Sequence, residues 1–493
     1  MSMDISTLFT QAAHKWPQAL AIKDLRSQRQ LTYAELDQAL DAFGAGLARL
    51  AVGEGERVAL LADTSMDYLL ADYGCMANGR VRVPLDPSLA VHELLAQIRD
   101  AGARVLLFGA NCANVAMALK EQGVTCLPLA GVAAEEGDNG GRPAALRHSL
   151  ASLNYTGGTT GAPKAVMHTH ASLCAVVQNV VMARASVPGD VLLNVRPLWP
   201  IAAVALLAHL LGGGALVLAE RFDAATFVDQ LQHHRAAFSS LVPTQLVRVL
   251  RETHTSRPEL GALKSVDIGA AAIAPSVLDD ALSLFGPRLS VLYGMTEAPW
   301  SCYLSATQLG QVHDEAPTAQ GVVGRPVFAA AVRIDRPDAN GVGEIMLAGP
   351  QLMAGYWQQP ELSAEVLQGD WLHSGDLGRI REDGLLLVMG RRKEIIRSGG
   401  KSIQPGEVIE CLLDHPLVAD THVFGRADVE WGEQVCAAVV LNPGAAVSAD
   451  QLQAHCRERL SRFKVPRQVY FVEALPRSHY GKIQLNRLLE QIG

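Results

Sequence analysis

Apolar and polar positions follow two rhythms along the first three hundred residues. Short, almost unbroken apolar runs, "RVALLA" (57–62), "VRVPL" (81–85) and "RVLLFG" (104–109), are separated by longer stretches of helical period. Examples are "TYAELDQALDAFGAGLARL" (32–50) and "AVHELLAQIRDAG" (90–102). Runs this short and this apolar suit strands covered on both faces, and the periodic stretches between them suit crossover helices. The alternation resumes after residue 165, with strands expected at "ALVLA" (215–219), "AFSSLV" (237–242), "LKSVDIGA" (263–270) and "LSVLYG" (289–294). Helices are expected over 223–235, 244–252 and 276–285.

Near residue 321 the rhythm changes to short, turn-punctuated strands: "VVGRPVFAAAVRIDR", "GEIMLAG" and "LGRIREDGLLLVMGRRKE", with a hairpin at Asp383-Gly384. After about 393 comes a last unit: helix 405–414, strands 418–424 and 435–441, helix 449–460, strand 468–473 and helix 484–491. The expected fold is α/β, a large body of mainly parallel sheets flanked by helices. A β-barrel-like subdomain (about 321–392) completes an N-terminal domain of 1–392. A mobile α+β lid domain, 393–493, follows it. The Gly- and Glu-rich stretch 131–146 reads as a surface loop.

One segment challenges a soluble reading. "IAAVALLAHLLGGGALVLA" (201–219) is as long as a membrane span, with His209 its one polar interruption. Gly212, Gly213 and Gly214 divide it into a helix-length and a strand-length piece, so buried helix, turn and buried strand are expected. The N-terminal "MSMDISTLFTQAAHKWPQAL" lacks the apolar core of a signal peptide. A net charge of −8, without a basic run interleaved with aromatics, disfavours a nucleic-acid partner. The eight cysteines are scattered, with no C-x-x-C pair, which disfavours a zinc site or a disulfide framework and fits a cytoplasmic protein.

Chemistry concentrates in "LNYTGGTTGAPKAVMHTH" (153–170). Gly157, Gly158 and Gly161 allow positive φ and inward-facing N–H groups. Thr156, Thr159 and Thr160 add hydroxyl donors, and Lys164 adds a cation. A nucleotide P-loop is the obvious rival, but Ala162-Pro163 separates Gly161 from Lys164, and Ala-Val follows the lysine. The loop is therefore expected between two strands, with a helix beginning only near His170.

This stretch resembles the phosphate-loop signature of the acyl-adenylate-forming superfamily, which includes acyl- and aryl-CoA synthetases, peptide-synthetase adenylation domains and firefly luciferase. Gly157 stands where that family usually has serine, which removes one donor. The resemblance continues in order through "YGMTE" (293–297), "SGDLG" (374–378), "GRRKEIIRSGGKSIQPGEVIE" (390–410) and "LPRSHYGKI" (475–483). It implies a two-step reaction: a carboxylate attacks the α-phosphate of ATP to give acyl-AMP and pyrophosphate, then a thiol displaces AMP.

Roles carried over from the resemblance are these. Tyr293 stacks on adenine, Thr296 hydrogen-bonds the α-phosphate, and Glu297 holds Mg²⁺. Asp376 and Arg391 take the ribose, and the backbone at Gly269, Ala270 and Ala271 lies along adenine. Lys482 neutralises charge on the attacking carboxylate and the α-phosphate. Lys393 is the hinge about which the C-terminal domain rotates between half-reactions.

"VFGRADVEWGEQVCAAVV" (423–440) resembles bacterial benzoate- and halobenzoate-CoA ligases. That likeness implies CoA at Trp431, with Phe463, Arg467 and the Gly399-Gly400 loop beside it. Free CoA is favoured as the thiol over a separate carrier protein, and the assembly is expected as a monomer or homodimer. Trp199, Pro200, Ala203, Ala271 and Met295, with Ile201, Ala202, Ala272 and Trp300 nearby, give an apolar acid pocket. With no acidic residue at 196–206, an amino-acid substrate is disfavoured. The family's aromatic-His pair reads Trp199-Pro200 here. An aryl acid ranks first and a medium-chain aliphatic acid second. A carrier-loading adenylating enzyme, a relative that has lost its chemistry and a luciferase-like oxygenase are the other readings.

Overall fold

A computed structural model of the protein describes residues 4–132, 142–143, 146–156, 164–253, 259–269, 273, 275–315, 321–477 and 483–493. Two large sheets form the body. In the first, strands Leu20–Asp24, Ala215–Leu218, Val191–Asn194, Phe238–Leu241, Ser265–Ile268 and Leu289–Met295 run parallel side by side. In the second, the parallel core is Val81–Pro84, Arg57–Leu61, Val105–Phe108 and Cys126–Pro128 in that spatial order, with Leu150–Thr156 parallel on the outer side of Val81–Pro84.

The strands are short because they are buried on both faces. Val58, Ala59, Leu60 and Leu61 are all fully buried, so no polar position is available to alternate with the apolar ones. Helices begin where the sequence supplies a cap: Thr32 and Glu35 close a reciprocal capping box ahead of Tyr33–Arg49, and Ser65 caps Met66–Ala77.

The 201–219 segment resolves as expected into helix Ala202–Leu211 and strand Ala215–Leu218, with Gly213 at φ +88° between them. His209 is inside, its Nε2 donating to the Asp190 carbonyl at 2.9 Å, and a side chain at Gly214 would strike its ring. No helix among the described residues is long and apolar enough to cross a membrane.

The antiparallel strands of 321–392 form as expected, but open and joined to the body. Strand Val322–Pro326 pairs with Ala298–Leu304 on one side and with Leu386–Arg391 on the other, so the first body sheet simply continues outward to an edge at Ala331–Asp335. A barrel would need that edge to find a partner. The C-terminal unit has its own sheet and apolar core around Ile403, Val408, Leu412, Val435 and Leu452. The Gly399-Gly400 loop joins a hairpin of Ile396–Ser398 and Lys401–Ile403. Gly399 and Gly400 at φ +56° and +75° supply its turn.

Candidate active site

The phosphate-loop candidates hang from an antiparallel strand pair. Leu150–Thr156 pairs with Lys164–Thr169, and the last register position joins Thr156 to Lys164. Gly157, Gly158, Thr159, Thr160 and Gly161 lie outside the described residues, but the two strands that carry them are fixed. Lys164 Nζ sits 5.4 Å over the Tyr356 ring. Tyr356 belongs to a two-residue strand, Gly355–Tyr356, added to the same sheet beside Val166. Its hydroxyl donates to Glu297 Oε1 at 2.9 Å, and burial, followed by the Glu297 charge, pushes the phenol up, so it remains a donor. Tyr356 was not among the sequence candidates. Its signal is weak: one aromatic in "AGYW", far in sequence from Lys164 and Glu297.

Thr296 and Glu297 form the two-residue turn of a hairpin between Leu289–Met295 and Ala298–Leu304. Gly294 is required there, because a Cβ would lie 2.7 Å from the Trp300 backbone nitrogen. The turn is held by its backbone: the Thr296 carbonyl accepts from His168 Nε2 at 2.7 Å and the Glu297 carbonyl accepts from Met353 N–H at 2.8 Å. Glu297 keeps one carboxylate oxygen with no partner among the described residues. A hard oxygen anion joined to Lys164 through Tyr356 fits Mg²⁺ bound with phosphate oxygens.

On the other side of the turn, Tyr293, Asp376 and Arg391 come together as anticipated. Tyr293 donates to Asp376 Oδ2 at 2.8 Å, and Arg391 Nε lies 3.1 Å from Asp376 Oδ1. Asp376 lies within Trp371–Ile380, where the register with Gly343–Ala348 shifts, and it faces Arg391 directly on Leu386–Arg391. The bulge re-aims "SGD". Ser374 Oγ donates to the Ile345 carbonyl at 2.6 Å and accepts from Asp376 N–H at 3.0 Å. The buried Glu344 carboxylate accepts from Gly375 N–H at 3.0 Å and from Arg392 at 2.9 Å.

Gly269 closes strand Ser265–Ile268 next to Leu289–Met295, so the site sits at the carboxyl ends of adjacent parallel strands. Ala270, Ala271 and Ala272 are outside the described residues.

The acid-pocket candidates divide. Trp199 and Ala203 share one apolar cluster, whereas Met295 packs against another. Trp199 is edge-on to Tyr68 with centroids 6.2 Å apart, and it borders a cavity of about 280 Å³ with Asp63, Ser88, Asn111 and Val115. Ala203 is fully buried, and its carbonyl accepts from Tyr73 at 2.9 Å. Ile201 and Ala202 are half-buried, while Trp300 is buried against Tyr303 with centroids 5.5 Å apart.

The Pro200 carbonyl accepts from Arg82 at 3.3 Å. Arg82 and its partner Asp72, 2.5 Å away, are both wholly buried, and Arg82 also reaches Asn154 at 3.2 Å. The sequence offered one unused sign of this pair: a charge inside the apolar strand "VRVPL".

In the C-terminal unit, Gly399 N–H donates to the Trp431 carbonyl at 2.8 Å, and a side chain at Gly399 would lie 2.8 Å from the Trp431 ring. The Arg467 guanidinium lies 4.0 Å over the same ring. Phe463 joins through Lys401, whose ammonium is 4.9 Å from its ring, with Gly400 turning the hairpin between them. The CoA candidates thus form one surface. Lys393 is exposed in a single turn, Arg392–Glu394, leading into it. Lys482 lies outside the described residues.

Family models bear on this arrangement directly. Residues 9–357 match the AMP-binding enzyme model and residues 407–482 the AMP-binding enzyme C-terminal domain. The chain belongs to the AMP-binding enzyme family. It is an ATP-dependent acid–thiol ligase.

Among relatives of this AMP-binding enzyme, a feruloyl-CoA synthase of Amycolatopsis sp is 33% identical over 486 residues, covering 97% of this chain and 96% of its own. A 2-succinylbenzoate–CoA ligase of Geobacillus kaustophilus is 31% identical over 489 residues, 97% of each chain. The solved o-succinylbenzoate CoA synthetase (MenE) of Bacillus subtilis, in complex with its acyl-adenylate intermediate OSB-AMP, superposes with a TM-score of 0.88. It is 29% identical and covers 98% of this chain and 97% of its own. The same enzyme is also solved with ATP and magnesium ion.

Proposed function

We propose that the protein is an aryl-acid–CoA ligase. The carrying observation is the convergence of two clusters on one hairpin turn: Lys164, Tyr356 and Glu297 on the phosphate side, and Tyr293, Asp376 and Arg391 on the nucleoside side.

In this reading Asp376 and Arg391 hold the ribose, the Tyr293 ring borders adenine, and Gly269 with Ala270 and Ala271 floors it. Thr156, Lys164 and the Gly157–Gly161 loop take the pyrophosphate end. Thr296 holds the α-phosphate. Glu297 would hold Mg²⁺, which would supply charge neutralisation at the phosphates. The acid's carboxylate oxygen attacks the α-phosphorus and pyrophosphate leaves. Lys482 stabilises the charge that builds there. The C-terminal unit, 393–493, then turns about Lys393. The CoA sulfur attacks the acyl carbon and AMP leaves with the bond electrons.

The Trp431, Arg467 and Phe463 surface receives CoA, because a flat ring under a guanidinium suits a nucleotide base and its phosphates. An aryl acid is supported by the apolar cluster that Trp199 and Ala203 share, and by relatives named for feruloyl and succinylbenzoate acids. Eight unpaired cysteines fit a cytoplasmic location.

Pyrophosphate release, measured with ATP and Mg²⁺ across aryl, short-, medium- and long-chain acids with and without CoA, tests the reading. Turnover of an aryl acid that requires CoA supports it. Turnover confined to aliphatic acids refutes the acid class. Acid-dependent ATP–pyrophosphate exchange with no thioester would transfer the acceptor role to a carrier protein.

A further inference from the structure

The histidine in "VMHT" has no part in the roles above, yet it occupies the joint between the two halves of the phosphate site. His168 lies on the same strand as Lys164 and is fully buried. Four residues apart on a strand, the two side chains share one face. Nε2 is 2.7 Å from the Thr296 carbonyl, and Nδ1 is 3.1 Å from Ser172 Oγ.

The tautomer follows from these partners. A carbonyl can only accept, so Nε2 carries the proton, and Nδ1 is left an acceptor beside the Ser172 hydroxyl, whose proton the Thr169 carbonyl shares at 3.1 Å. Burial, opposed by the hydrogen bond to Thr296 and aided by the nearby Arg82 charge, lowers the ring's pKa to about 4, so the imidazole is neutral at pH 7. A neutral ring with one fixed N–H is a rigid strut of defined length. It spans from the strand that follows the phosphate loop to the turn that carries Thr296 and Glu297.

We propose that His168 is a positioning residue for the nucleotide–metal half of the site, setting the distance between the Lys164 strand and the Thr296–Glu297 turn. The proposal rests on the assignment of that turn to Mg²⁺ and phosphate. Besides its bond to Tyr293, the ribose cluster has holds of its own in the Ser374, Glu344 and Arg391 contacts on the Trp371–Ile380 bulge. A loss at His168 therefore reaches the phosphates and leaves the nucleoside grip intact. Apolar replacement leaves the Thr296 carbonyl without its donor and frees the turn to drift. Glutamine restores an N–H near the Nε2 position, whereas leucine cannot.

Calorimetry with ATP in the presence of Mg²⁺, and separately with adenosine, which has no phosphate, decides the matter on the full chain without knowledge of the acid. His168→Leu should weaken Mg·ATP binding about tenfold and leave adenosine binding within about twofold. His168→Gln should recover most of the Mg·ATP affinity. If the two affinities fall together, or if glutamine behaves like leucine, His168 is a packing residue and the proposal fails. If His168→Leu does not fold, the glutamine variant alone still decides: near-normal affinity for both ligands upholds the strut, and loss of Mg·ATP affinity overturns it. Absence of any ATP or adenosine binding by the unmodified protein would instead refute the nucleotide-site assignment itself.

Discussion

Tyr293 donates its hydroxyl to a carboxylate oxygen of Asp376 at 2.8 Å, and neither residue is appreciably exposed. One comes from the hairpin that presents Thr296 and Glu297, the other from the antiparallel extension. The bond therefore ties the ribose contact to the phosphate turn.

Tyr293→Phe removes a hydrogen bond to a charged group, about 1.5–3 kcal/mol in such settings. The KM for ATP should rise about tenfold or more, with the KM for CoA unchanged. Steady-state kinetics with each substrate varied in turn will show it. An equal rise for both substrates would mean that the bond serves the fold at large.

Lys482→Ala should slow acyl-AMP formation by about 10²–10³ while leaving thioester formation from supplied acyl-AMP nearly intact. Single-turnover assays of the two halves separate the effects. Equal loss in both halves would contradict rotation of the C-terminal unit about Lys393.

Trp431 lies against Gly399, with the Arg467 guanidinium 4.0 Å over its ring. Trp431→Ala should raise the KM for CoA about tenfold, since stacking of a base on an aromatic ring is worth about 1–3 kcal/mol. ATP kinetics should not move. An unchanged CoA dependence would reassign the ring to packing and reopen the carrier-protein acceptor.

Three buried histidines, His168, His170 and His209, are each held neutral by burial, with pKa lowered to about 4. In the unfolded chain the same rings protonate near about 6.5. Unfolding therefore takes up protons between pH 6.5 and 4, and stability falls as the pH drops through that window. Each ring contributes about 1.4 kcal/mol per pH unit within it. Urea denaturation at pH 7 and pH 5 should show a clear fall in the midpoint. An unchanged midpoint would mean that the rings already carry protons in the folded state.

Motifs were legible where chemistry restricts residue type: "YGMTE", "SGD" and the Arg391 strand all sit together in space. Elements were legible where polar positions mark a period, as in Tyr33–Arg49 and Val91–Ala101. Helix Met66–Ala77 gave no such signal, because nearly every position on it is buried and its hydrophobicity has no preferred face. Tyr356, His168 and Arg82 escaped notice for a different reason. Their meaning lies in partners far away in sequence, and an isolated tyrosine, histidine or arginine reads as ordinary. The barrel-like expectation failed because strand count and turn spacing carry no information on which edges pair.

Strand Gly355–Tyr356 has a consequence for how the chain is made. The polypeptide leaves the extended first sheet after Gly343–Ala348, adds two residues to the edge of the second beside Lys164–Thr169, and returns. The second sheet's other strands all come from the first third of the molecule. As the ribosome delivers the N-terminal part, that sheet can assemble, but its outer edge stays bare until much later residues emerge. An unpaired edge held open that long is a site for mispairing between nascent chains. Its closing strand carries Tyr356, so the edge is sealed by the same residue that positions Glu297.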